Sequence, residues 1–90
     1  METLTSYRYI TIKPTTNEPI IQGTRISVRD VVEHWKMGAS PEEIPIVYPH
    51  ITLSQVFEAL AYYQDNKEEI EMFIEKNYVP ESLSGSPLSR

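Results

Sequence analysis

The chain has 90 residues, 13 acidic against 8 basic side chains, a net charge of −5 and no cysteine. That length bounds it to one domain with a thin core. The missing cysteines exclude a disulfide framework and thiolate zinc, and the acidic balance opposes nonspecific binding to nucleic acid, most of which comes from lysine and arginine on phosphates.

The charge is unevenly placed. Residues 1–36 carry five basic side chains against four acidic ones, whereas residues 37–90 carry three against nine. No basic leader precedes an apolar stretch, and no apolar run approaches membrane-spanning length. The expected location is the cytoplasm.

Residues 1–8 are expected to be a flexible N-terminus, with a single helical domain over 9–78. Tyr9 to Ile12 has the β-branched and aromatic content of a short strand. The loop KPTTNEP follows, punctuated by two prolines and an asparagine. Ile20, Ile21 and Ile26 flank Gln22-Gly23-Thr24, and Gly23 stands where a tight turn needs positive φ. Residues 19–26 thus predict a small β-hairpin or hook.

Ser27 then predicts a helix N-cap, with Asp30 three residues on. Val28, Val31, Val32 and Trp35 recur on one helical face, Arg29, Glu33 and Lys36 on the other, and Gly38 ends the helix. Ser40, Pro41 and Glu43 form a second helix start, with Ile44 and Val47 facing inward. Pro45 removes a backbone donor past the first turn, so this helix must be short or kinked. Tyr48-Pro49 stops it.

Thr52 and Gln55 make a capping box for a third helix, whose expected buried stripe is Val56, Phe57, Leu60 and either Ala61 or Tyr63. Asn66 with Glu69 predicts the start of a fourth helix, with Ile70, Phe73 and Ile74 inward and Glu68, Glu69, Glu71 and Glu75 covering much of the rest. Residues 79–90 lack apolar periodicity and are expected to be a disordered tail.

Few side chains suggest chemistry. Gly23-Thr24-Arg25 is not a phosphate loop, because the further glycines, the lysine and the preceding buried strand are missing. The structural account has Gly23 making the turn, Thr24 capping it and Arg25 pairing with a carboxylate. The functional account makes Arg25 and Arg29 an exposed cationic pair. His34 and His50 are not spaced as a helical metal pair, so neither a metal nor a cofactor is expected. No nucleophile has an obvious base, and catalysis has little support. Trp35, Phe57, Tyr62, Tyr63 and Phe73 could stack on bases, but their helical spacing favours core packing.

Three helices with a short second one suggest helix-turn-helix geometry, in which the third helix reads DNA. Ser54, Gln55 and Glu58 would then face the bases, yet residues 52–66 contain no lysine or arginine. Phosphate anchoring would fall to Arg25, Arg29 and Lys36. Glu68, Glu71 and Glu75 would meet a basic protein partner.

The segments PIIQGTRISVRDVV, GASPEEI and YPHITLSQVFEALAYYQDNKEEIE, in this order, resemble the bacterial domain-of-unknown-function family numbered 433, over about residues 10–75. Pro45 departs from its pattern. The resemblance implies a mostly α fold: a homeodomain-like, helix-turn-helix core with a short N-terminal β-hook, here followed by the fourth helix. It also implies an antitoxin role, with a PIN-like nuclease toxin as partner and repression of the pair's own operon. No catalytic residues come with the family. Two functions stay open. One is a non-catalytic antitoxin that binds a nuclease and operator DNA, as a dimer on that DNA. The other is a protein-interaction module on the same scaffold with no DNA role.

Overall fold

The computed structural model describes residues 3–77. The order is β1 (Thr3–Leu4), β2 (Ile10–Ile12), β3 (Pro19–Ile21), α1 (Val28–Lys36), α2 (Ile44–Val47), α3 (Leu53–Asp65) and α4 (Lys67–Lys76). The fold is mostly helical, with a small antiparallel sheet in the order β1-β2-β3. Within residues 1–8, expected to be flexible, Thr3 and Leu4 form β1 and pair with Ile12 and Thr11. Thr5 then donates its hydroxyl to the Ile10 carbonyl at 2.6 Å. Edge pairing satisfies backbone groups that composition alone does not mark. The tail over 79–90 lies outside the described residues.

The hairpin joins β2 to β3 across the proline-rich loop, with Ile10 opposite Ile21 and Ile12 opposite Pro19. Lys13 N–H donates to the Glu18 carbonyl at 2.9 Å and closes the loop. Asn17 takes the left-handed conformation inside it, a role its short polar side chain tolerates. A hook follows at 21–27. Gly23 turns at φ 79°, and the Thr24 hydroxyl donates to the Ile21 carbonyl while accepting from Ile26 N–H. Thr24 caps the turn as the sequence predicts.

Ser27 and Asp30 form a complete capping box, each side chain accepting the other's backbone N–H. Val28, Val31 and Val32 are fully buried, and Gly38 follows the helix at φ 106°. Trp35, expected on the same face, lies at its margin, edge-on to Tyr63. The second helix does not begin at Ser40. Glu43 accepts the Ser40 N–H, but residues 41–43 make turns and only Ile44–Val47 is helical. Pro45 sits in the first turn, as its missing donor requires. Ile44 is buried, whereas Val47 faces outward.

The third helix opens on the predicted Thr52–Gln55 box. Its buried residues are Val56, Ala59, Tyr62 and Tyr63, with Leu60 packed beside them. Phe57 and Ala61, both candidates for the buried stripe, are exposed. The helix is turned so that small Ala59 is buried in the core, and α1 is the helix's principal partner. Asn66 does not cap α4 through its side chain. Its amide donates back to the Tyr62 carbonyl at 3.1 Å, and Glu69 accepts from the Tyr62 hydroxyl. Ile70 and Phe73 bury against the core, and α1 touches β3, α2, α3 and α4 at its centre. Among the described residues no helix is long and apolar enough to cross a membrane.

Candidate interaction surfaces

The five cationic side chains of residues 1–36 do not form one free patch. Arg29 Nε donates to Glu18 at 2.7 Å, and its guanidinium lies 3.8 Å from Asp30 and 3.6 Å from Glu33. Three carboxylates therefore surround a largely buried cation. Glu18, itself buried, is delivered by the β2–β3 hairpin. The hairpin carboxylate thus pairs with Arg29, and the carboxylate pairing expected of Arg25 in the structural account is not formed among the described residues. Arg25 stays exposed at the hook and makes no ion pair among the described residues.

Lys36 is also engaged. Its ammonium contacts the Glu71 carboxylate, and it lies 5.7 Å from the centroid of the Tyr63 ring. Lys67 reaches the same ring at 5.8 Å, and the Tyr63 hydroxyl donates to Glu71 at 2.5 Å. Hydrogen bonds from Lys36 and then Tyr63 hold the Glu71 carboxyl below its ordinary value. Chiefly through its bond to Glu71, Lys36 is held above its own. This network ties the end of α1 to α4, bridging elements 35 residues apart.

The expected base-reading side chains divide in the same way. Gln55 Oε1 accepts the Thr52 N–H at 2.7 Å and is held in the cap. Glu58 accepts the backbone N–H groups of Arg8 and Tyr9, so it clamps the start of the hairpin onto α3. Ser54 is exposed. Its neighbours on the outward face are apolar: Leu53 and Phe57, the latter 50% exposed. α2, packed on α3, adds Ile46 at 78% exposed and the outward Val47. The surface expected to carry polar readers is thus mainly hydrocarbon.

The α4 side presents different chemistry. Met72, 54% exposed, and Ile74 share a shallow surface depression with Glu68, Glu71 and Glu75. Of these glutamates, Glu68 and Glu75 are free of ion pairs among the described residues, while Glu71 is held by Lys36 and Tyr63. An apolar floor therefore carries an acidic rim.

Neither histidine joins a cluster. His34 Nδ1 lies 3.0 Å from the Asp30 carbonyl and packs edge-on against Tyr48. Among the described residues, no group of three histidine, cysteine or carboxylate side chains is placed to hold a metal ion.

The hook with its Gly23-Thr24-Arg25 turn, the capped α1 and the capped α3 are the parts spanned by a family model. That model, described as a protein of unknown function (DUF433), matches residues 10–63. The chain belongs to the DUF433 family. No curated protein and no solved structure matches it. The DUF433 match runs from β2 through most of α3 and stops before α4, short of the 10–75 expected from the quoted segments. The acidic-rimmed surface therefore lies outside the family-defining part of the chain. Within that part, the GTR turn has a structural task for Gly23 and Thr24, whereas the exposed Arg25 makes no ion pair among the described residues.

Proposed function

We propose that this protein is a non-catalytic, antitoxin-like binding module of the cytoplasm whose partner is a basic protein of the PIN-like nuclease class. The observation that carries this is the α4 surface, where Met72 and Ile74 sit among Glu68, Glu71 and Glu75. A nuclease holds phosphates with a basic surface, and an acidic rim around an apolar floor complements it in charge and gives hydrocarbon to bury. Electrostatic attraction would speed encounter, and the apolar floor would slow release.

The order α1–α2–α3, with a four-residue α2 and a short connection into α3, is compatible with the homeodomain-like helix-turn-helix reading. That reading favours operator DNA as a second ligand. The side chains favour the protein-only reading. Arg29 and Lys36 are matched by carboxylates, Gln55 is committed to a cap, and the outward face of α3 offers Leu53 and Phe57. Each phosphate contact needs an available cation.

Co-expression with the product of the adjacent reading frame tests this. The expected result is copurification of a nuclease, with binding weakened at least about tenfold by Glu68→Lys with Glu75→Lys, and weakening as salt rises. The nuclease itself should lose activity in the complex. Undiminished binding by that variant would place the interface elsewhere. A duplex of the upstream region that shifts at 0.15 M salt in an Arg25-dependent way, with no protein partner recovered, would favour the DNA reading instead.

A further inference from the structure

The outward face of α3 has an arrangement that the partner surface on α4 does not use. Its exposed residues include Leu53, Ser54, Phe57, Ala61 and Gln64. At 100° per residue these fall in one stripe opposite the buried Val56, Ala59 and Tyr63, and from Leu53 to Gln64 the stripe runs about 17 Å. It contains no charged side chain. The acids at its border, Glu58 and Asp65, are turned to the hairpin, where they accept from the Arg8 and Tyr9 amides and from the Tyr7 hydroxyl.

We infer that this stripe is a self-association face, on which α3 of one copy packs antiparallel against α3 of a second copy. The reasoning is electrostatic. In a two-fold interface a patch meets itself, so any net charge on it is repelled. The chain carries −5 overall, and exposed acids stand on the α4 surface and before α2, at Glu42 and Glu43. The α3 stripe is a long helical face on which two acidic copies can approach without bringing like charges together. Its shape fits as well. An antiparallel crossing centred between Phe57 and Ala61 sets the ring of one copy over the small Ala61 of the other, twice by symmetry. Ala61 lets the helix axes come within the usual 8–10 Å. Leu53 extends the contact at the ends, and Ile46 and Val47 on the adjoining α2 are exposed apolar neighbours near the α2–α3 connection.

The contact is modest in size, below the roughly 800 Å² per partner of a standard interface for the helix pair alone. The dimer is therefore a micromolar one and depends on concentration. It leaves the α4 surface free, so one dimer offers two acidic-rimmed faces. This inference does not rest on the proposed function, because its readout is the mass of the protein alone.

Sedimentation equilibrium of the full chain tests it. The expected mass rises from one chain of 10.4 kDa toward twice that as concentration passes from about 1 to about 200 µM. Ala61→Glu and Ala61→Arg each place a charge on an exposed helical position and should remain monomeric at 200 µM with unchanged circular dichroism. Met72→Ser on α4 should dimerise like the wild type. A wild-type chain that stays monomeric throughout overturns the inference. So does a dimer that survives both Ala61 charges, or one that Met72→Ser abolishes. If either Ala61 variant unfolds, Phe57→Gln serves in its place, with the same monomeric outcome expected and a persisting dimer overturning the assignment.

Discussion

Two side chains show how a charge can be read from the sequence and still be misassigned. Arg29 and Lys36 lie on the polar side of α1, as their helical spacing predicts, and that side is not all solvent. Arg29 meets the buried Glu18 from the hairpin. Lys36 meets Glu71 from α4. Spacing tells which residues leave the core face of their own helix. It is silent on which other element closes over them. The Glu71 site has a pH signature. Lys36 and Tyr63 hold its carboxyl below the ordinary value of 4.5, so its contribution to stability is full above that value and is lost as pH falls through the lower folded value. Both partners are substantially exposed, which limits the pair to about 0.5 kcal/mol. Glu71→Gln should lower the urea midpoint slightly at pH 7, and the gap from wild type should narrow as pH falls through and below the ordinary carboxylate range. A gap that stays unchanged through that fall in pH would mean that Glu71 acts through packing.

At the scale of elements, the capping signals separate into those that close and those that do not. Ser27–Asp30 and Thr52–Gln55 form both halves of the box. Ser40–Glu43 forms one half and starts only turns, because Pro45 cannot supply the donor that would extend a helix from Ser40. Asn66–Glu69 forms neither half, because Asn66 is also the last residue of the preceding turn and its amide serves α3. Urea denaturation should separate these cases. Thr52→Ala removes an acceptor for the Gln55 N–H and should cost about 1 kcal/mol. Asn66→Ala removes a bond to a carbonyl at the helix end and should cost roughly half that. Equal losses would show that Asn66 stabilises α4 as a cap in some other way.

At the scale of the molecule, the hairpin is held to the helices by polar contacts that span most of the chain. Glu58 accepts from Arg8 and Tyr9, Tyr7 reaches Asp65, and the Tyr7 ring packs edge-on to Tyr62 at 4.9 Å between centroids. These join residues about fifty positions apart and convert a short, marginal sheet into part of one body. Glu58→Ala should therefore raise amide hydrogen exchange at Arg8 and Tyr9 by an order of magnitude or more, with the protection of Val31 and Val32 nearly unchanged. If both regions lose protection equally, the hairpin and helices open as one cooperative unit.

The sequence by itself determined the four helices, the hook and the turn residues, because caps, glycines and apolar periodicity act within a few residues of one another. The Gly23 turn, the Ser27 and Thr52 caps and the shortness of α2 all follow from such local rules. It also carried the family, through an ordered set of short segments. Tertiary structure decided the rest. It paired β1 with β2, rotated α3 so that Ala59 and Tyr62 turn inward while Phe57 faces outward, and assigned Glu58 to the hairpin amides. It also matched Arg29 and Lys36 with carboxylates from distant elements. The physical reason is common to all of these. A charge or an aromatic ring is placed by whichever surface lies opposite, and that surface comes from a part of the chain that local periodicity does not reach.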